Sequence, residues 1–236
     1  MLRRHTILET VYPKTDDFKS LSRKWKSDAL KLMINWIWMG YDLLTGEVLS
    51  RVDWDLAKDD LEREITQLLE PRIRKIMPAE TFCYIQHEPK ERETRKPAPA
   101  QPPEYDLAFI LYENERIMWP IEAKVLSKDL SVGEYVKDVK NEFLTCRYAP
   151  FSDSGAMIGY LLSGDPNNSF SAISNKLQVE LTKDNNFKKR PQRISYHIRS
   201  VPKDKNYPKK FFCYHLILEI KSDLKELSLP IAATVS

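Results

Sequence analysis

Glycine is scarce here, with six residues in a chain of 236. Gly155 and Gly159 flank an apolar run instead of opening a loop, so no Gly-rich phosphate cradle can be built, and chemistries that depend on one are excluded. Cysteine is scarcer still. Cys83, Cys146 and Cys213 lie far apart without metal-type spacing, which fits a reducing compartment and a cytoplasmic protein. His5, His87, His197 and His215 form no zinc-ligand pattern, and Cys146 has no histidine near it in sequence. Long apolar runs are missing. The longest, LMINWIWM, is far too short to span a bilayer, and MLRRHTILETVYPK lacks the apolar core of a signal peptide. No membrane partner is expected.

What remains is the composition of an ordinary globular domain, 42% hydrophobic and 30% charged, long enough for one well-buried core. Net charge is +3, but it is unevenly placed. Residues 183–210 hold ten Lys/Arg against two Asp, or +8, leaving −5 for the rest.

An N-terminal helix is expected through FKSLSRKWKSDALKLMINWIWMG, capped by Asp16 or Asp17 and ended by Gly40. Trp25, Trp36 and Trp38 could stack on bases, though aromatics in such a helix are more often packing. The clearest helix is DWDLAKDDLEREITQLLEPRIRKIM. Asp53 or Asp55 would cap it, and Leu61, Ile65, Leu68, Leu69, Ile73 and Ile76 form one stripe. Glu62 lies on the edge of that stripe, nearer its centre than Glu64. TFCYIQ is a short strand, and HEPKERETRKPAPAQPPE, with five prolines, reads as a mobile or polyproline-like loop. Beyond residue 130 come a helix (SVGEYVKDVKNEFLTCRYA), a strand buried on both faces (GAMIGYLLSG), a helix capped near Asn167 to Ser169, and the strands ISYHIRSV and FFCYHLILEI. Strands alternating with helices define an α/β domain with a mixed sheet.

Tyr105 to Lys124 is the stretch the rest serves. YDLAFILY and IMWPIEAKV read as paired strands with ENER as the turn. Asp106 opens the first strand. Period-2 geometry puts Glu122 and Lys124 on one face of the second, and charges on an apolar strand are expensive to desolvate. The pattern Asp/Glu-x-Lys occurs six times, at Asp17, Glu88, Glu122, Asp138, Glu219 and Asp223. Only the Glu122 copy has a strand-borne Asp before it, a helix with an aligned Glu before that, and a helix after it.

This ordered set resembles the PD-(D/E)xK nuclease superfamily, and LEREITQLLE is similar to the Glu-bearing helix of archaeal Holliday junction resolvases. The resemblance covers roughly residues 55–148. It implies a restriction-endonuclease-like core, a mixed central sheet flanked by helices, over 51–236, with residues 1–50 as a helical extension packed on it. Two departures stand out. Glu104-Tyr105-Asp106 replaces the family's Pro-Asp, and the chain is much longer than a resolvase, so junction specificity is not carried over. By resemblance Glu62, Asp106, Glu122 and Lys124 form the catalytic site. Asp106, Glu122, the Ala123 carbonyl and Glu62 would hold Mg²⁺ or Mn²⁺.

Hard oxygen donors suit such a cation, and Lys124, with a pKa that burial can lower, would orient or activate water. Without chemistry, the same residues would be an ion pair. The basic segment suits a DNA backbone through Lys188, Lys189, Arg190 and Arg193, with Phe187, Tyr196 and Tyr207 as stacking candidates. Lys140 and Arg147 on the following helix are further candidates. The expected activity is metal-dependent DNA hydrolysis. A non-cleaving nucleic-acid-binding module or an interaction subunit with the same fold are the other readings, and the protein could act as a homodimer or within a larger defence or repair complex.

Overall fold

A computed structural model describes residues 27–47, 52–91, 93–94 and 102–220. The start of the expected N-terminal helix, with Asp16, Asp17 and Trp25, lies outside them. The element order is α1 (Ser27–Glu47), α2 (Lys58–Ile76), β1 (Cys83–His87), β2 (Leu107–Leu111), β3 (Asn114–Leu126), α3 (Gly133–Asp138), β4 (Ser154–Leu161), α4 (Pro166–Leu177), β5 (Thr182–Lys183), β6 (Gln192–Ile198) and β7 (Lys210–Glu219). A π-helical stretch, Val139–Phe143, extends α3. The strands form one seven-stranded mixed sheet in the order β1-β2-β3-β4-β7-β6-β5. The centre, β3-β4-β7, is parallel, and both flanks are antiparallel.

Two apolar layers fix this arrangement. Alternation along β3 sends Ile117, Trp119, Ile121, Ala123 and Val125 to one side, where they pack under α1 and α2. The other side of the sheet packs Met157, Cys213 and Ile217 against Tyr135, Val139 and Phe143 of the α3 segment and Phe170 and Ile173 of α4. Strand β4 is buried at every position, as its unbroken apolar run predicts. The α2 stripe is seated through Leu61, Ile65, Leu69 and Ile73, with Leu68 and Ile76 partly buried. Trp36 and Trp38 are core residues, and the Trp38 indole donates to Gln192 Oε1. Both are therefore packing and not a stacking surface.

Several local expectations are corrected. Gly40 does not end the first helix. It sits inside α1, where a Cβ would come 2.6 Å from Ile73 Cγ1, so its missing side chain lets α1 and α2 approach. Neither Asp53 nor Asp55 caps α2, whose N-cap is Ala57; the Asp53 carboxylate instead accepts from the Asp55 N–H. The hairpin turn is Tyr112-Glu113, because Asn114 already pairs with Leu111 and extends β3. The cap of α4 is Asp165, followed by Pro166 at the first turn. The proline-rich loop is pinned at its described ends. Tyr105 donates to the buried Glu91 carboxyl at 2.5 Å, and Glu93 pairs with Arg116 and Lys205.

A buried polar chain crosses the far half of the sheet. Ser195 Oγ lies 2.6 Å from His197 Nε2 and 2.7 Å from His215 Nε2, and Tyr135 Oη lies 2.9 Å from His215 Nδ1. Burial pushes His215 down to about 3 and His197 to about 4. Both stay neutral in the fold, while the unfolded chain takes up a proton near 6.5. Their contribution is complete above that pH and is lost as pH falls towards about 4 and then about 3. Raised carboxylates titrate in the opposite sense, so the effect is best read as a difference. The stability gap between wild type and His215→Gln, from urea unfolding, is expected to narrow by about 1.4 kcal/mol per pH unit below the unfolded histidine pKa. A gap that stays constant from pH 7 to pH 5 would refute neutral burial of this histidine.

Candidate active site

Strand β3 outruns its neighbour. Strand β2 begins at Leu107 opposite Ile121, so from Glu122 onward the β2 side of β3 has no strand beside it. The backbone N–H groups of Ala123 and Val125 point into this notch, and burying them unpaired would be costly. Side chains replace the absent strand. Asp106, one register step beyond Leu107, accepts the Ala123 N–H at 2.6 Å. Glu62 of α2 accepts the Val125 N–H at 2.9 Å. Thr66, one turn further along α2, bonds the Glu62 carbonyl and lies 3.0 Å from the Tyr160 hydroxyl, tying the helix to the sheet.

Lys124 rises from the same part of β3. Its ammonium lies 2.9 Å from Glu62 Oε1, 3.1 Å from Glu122 Oε1 and 3.9 Å from Asp106 Oδ2. All four residues singled out in the sequence are thus brought together, from a helix, a strand entry and one strand. A fifth was missed. Asp138, the last residue of α3, places Oδ2 3.4 Å from Lys124 Nζ. It stood in one of the repeated Asp/Glu-x-Lys patterns, and no sequence signal separated it from chance. Lys58 at the start of α2 pairs with Glu134 at the start of α3, linking the two helical layers beside the notch.

The electrostatics are those of too many carboxylates for one cation. Burial raises Glu62, although Lys124 pulls it back. Burial raises Asp106, with Lys124 and the Ala123 N–H opposing. Glu122 is pushed well up by burial and by the charge of Asp106. Glu122 Oε2 is buried without a hydrogen-bond partner. Burial alone would lower Lys124, but Glu122, Asp106 and Glu62 outweigh it and raise its pKa. The expectation of a lysine lowered by burial is therefore corrected. Among these carboxylates Lys124 is held as a cation.

Among the described residues no group of three or more His, Cys, Asp or Glu side chains is arranged to hold a metal ion. What the carboxylates surround is the Lys124 ammonium. The donor set nevertheless fits a hard divalent cation, being all oxygen and in charge excess, with one buried carboxylate oxygen lacking a donor.

The basic segment does not form one stripe. Lys188, Lys189, Arg190 and Arg193 line a cleft of about 800 Å³ with Lys183, beside the N-terminal turn of α4. Within it Arg190 is paired with Asp42 and stacked on Trp38, and Arg193 lies over Phe170. Arg199 is buried and donates to the carbonyls of Ala149, Ser152 and Pro208, so its charge serves the fold. Lys140 donates to the Lys176 carbonyl and Arg147 pairs with Glu142; neither lines the cleft. Of the stacking candidates, Tyr207 is buried and Phe187 packs on the core, leaving Tyr196 exposed. The three cysteines are buried and free. No helix among the described residues is long and apolar enough to cross a membrane.

Compared with known proteins, the chain matches no family model, no curated protein and no solved structure.

Proposed function

We propose that this protein is a divalent-metal-dependent nuclease that hydrolyses DNA phosphodiester bonds on a restriction-endonuclease-like core. The observation that carries the reading is the convergence of Glu62, Asp106 and Glu122 on Lys124 where β3 leaves the cover of β2. An ion pair needs one carboxylate. Here burial raises all three acids even with the ammonium present, helped by the charge of Asp106 on Glu62 and Glu122 and of Asp138 on Asp106. Such an arrangement is costly unless it serves chemistry.

Asp106, Glu122 and Glu62 would hold Mg²⁺ or Mn²⁺ together with the Ala123 carbonyl, which shares the open side of β3 with the Ala123 N–H. When bound, the cation polarises a phosphate oxygen and acidifies the attacking water. Lys124, kept protonated, offsets charge developing on the phosphate and orients the water through its N–H donors. Glu62, anchored on the Val125 N–H, keeps α2 and the lysine in register. Lys183, Lys188 and Lys189 in the cleft beyond β4 suit phosphates further along a strand. The cleft adjoins the end of β3, since Ser163, just before it, donates to the Ser127 carbonyl and Asp129 accepts from Asp165 and Asn168.

Incubation with linear, circular, single-stranded and branched DNA tests the proposal. Cleavage is expected with Mg²⁺ or Mn²⁺ and none with EDTA. DNA binding with no cleavage under either metal would establish the non-cleaving module instead.

A further inference from the structure

Lys124 is offered more carboxylates than it can serve. An ammonium has three N–H donors, while four acidic side chains, Glu62, Glu122, Asp138 and Asp106, lie at 2.9, 3.1, 3.4 and 3.9 Å. Hydrogen bonds form to Glu62 and Glu122, and Asp138 stands next in distance. The carboxylates differ in freedom. Asp106 and Glu62 are fixed by backbone N–H groups of β3. Lys124 is a flexible four-carbon stem whose head can swing at little cost.

The Lys124 ammonium is bonded to Glu122 Oε1, while Glu122 Oε2 is buried and undonated. A divalent cation held by Asp106 and Glu122 would therefore share a carboxylate with the ammonium, and the two like charges would repel across it. The other carboxylates within reach of the ammonium are Glu62 at 2.9 Å and Asp138 at 3.4 Å. Asp138 closes α3 just where the helix widens into the π-helical stretch Val139–Phe143, a local geometry frequent at functional sites. Val139 and Phe143 stay in the core, so Asp138 is carried by a well-anchored segment. Lys140, which completes its Asp-x-Lys pattern, is turned away to the Lys176 carbonyl and offers Asp138 no partner of its own.

We propose that Lys124 and the divalent cation compete for Glu122 and Asp106, and that Asp138 is the positioning residue that receives the ammonium when the cation enters. The inference rests on the nuclease reading, because it needs the cation. In the cation-free protein the ammonium guards the site. With cation bound, Asp138 and Glu62 hold Lys124 beside the phosphate instead of letting it swing into solvent.

Calorimetric titration of Mn²⁺ into DNA-free protein at pH 8 tests this without any activity measurement. Lys124→Met is expected to tighten Mn²⁺ binding at least about tenfold, since the competing charge is gone. Asp138→Asn is expected to weaken binding severalfold in the wild-type background and to leave it nearly unchanged in Lys124→Met, because its effect passes through the lysine. Should Lys124→Met not fold, Lys124→Gln, which keeps donors without charge, is read the same way. Wild type that binds Mn²⁺ with no tightening in the lysine variant overturns displacement and leaves the metal reading standing. An Asp138→Asn loss of equal size in both backgrounds makes Asp138 a ligand and overturns its positioning role. No Mn²⁺ binding by any variant overturns both the inference and the metal reading.

Discussion

Asp106→Asn and Lys124→Ala are each expected to abolish DNA cleavage, by at least about 10³-fold, yet to move stability in opposite directions. Loss of a preorganised charge-stabilising group commonly costs about 10²–10³ in rate, and the aspartate would carry the metal as well. Asparagine can still accept the Ala123 N–H through its side-chain oxygen, so the bond that positions residue 106 survives. What disappears is the charge that, after burial, helps push Glu122 well up. Asp106→Asn should therefore hold or increase stability by up to about 1 kcal/mol, the trade-off of a site kept for function. Lys124→Ala removes the ammonium that pairs with Glu62, Glu122 and Asp138. Leaving buried charge unpaired typically costs about 3–5 kcal/mol, here reduced by protonation of those acids. Cleavage assays and urea unfolding of both variants decide the matter. Retained activity in either sinks the assignment, and destabilisation by Asp106→Asn would mark the cluster as a structural ion pair.

Gly40→Val is expected to be the most damaging single substitution outside the site. A Cβ there meets Ile73 Cγ1 at 2.6 Å and the Ile73 backbone nitrogen and Cα at 3.0 and 3.1 Å. The isoleucine tip could turn aside, but the α2 backbone cannot, so the helices must part. Overpacking usually costs about 1–3 kcal/mol, and valine at a backbone contact falls at or above the upper end. Gly46 lies in the same helix with nothing within 4 Å of a Cβ, so Gly46→Ala should be neutral or stabilising by up to about 1 kcal/mol. Because α2 carries Glu62, the Gly40 variant should also lose cleavage at temperatures where it remains folded. Equal urea midpoints for the Gly40→Val and Gly46→Ala variants would refute close helix contact as the role of Gly40.

Periodicity along the chain was enough to place α2, β4, β7 and the shared face of Glu122 and Lys124, because strong apolar patterns leave one orientation that buries them. Local patterns were weaker at the ends of elements. Gly40 looked like a helix stop because its reason for being glycine, Ile73, lies on another helix. The count of positive charge in residues 183–210 was correct, but charge in sequence does not say where it points. Arg199 went to buried carbonyls, Arg190 to Asp42, Lys205 to Glu93, and Lys183, Lys188 and Lys189 to the cleft.

The sequence by itself determined the α2 helix, the central strands β3, β4 and β7, and which face of β3 carries the charges, since these follow from apolar spacing within a single segment. The turn to β5 at Thr182–Lys183, inside what reads as helix over 168–184, did not follow from it. The tertiary structure alone decided that β3 runs past the start of β2, that Asp106 and Glu62 take over its exposed N–H groups, and that Asp138 joins them at Lys124. Those contacts join residues from 14 to 63 positions apart. Their geometry is set by how two helical layers settle on one sheet, and no local pattern encodes that.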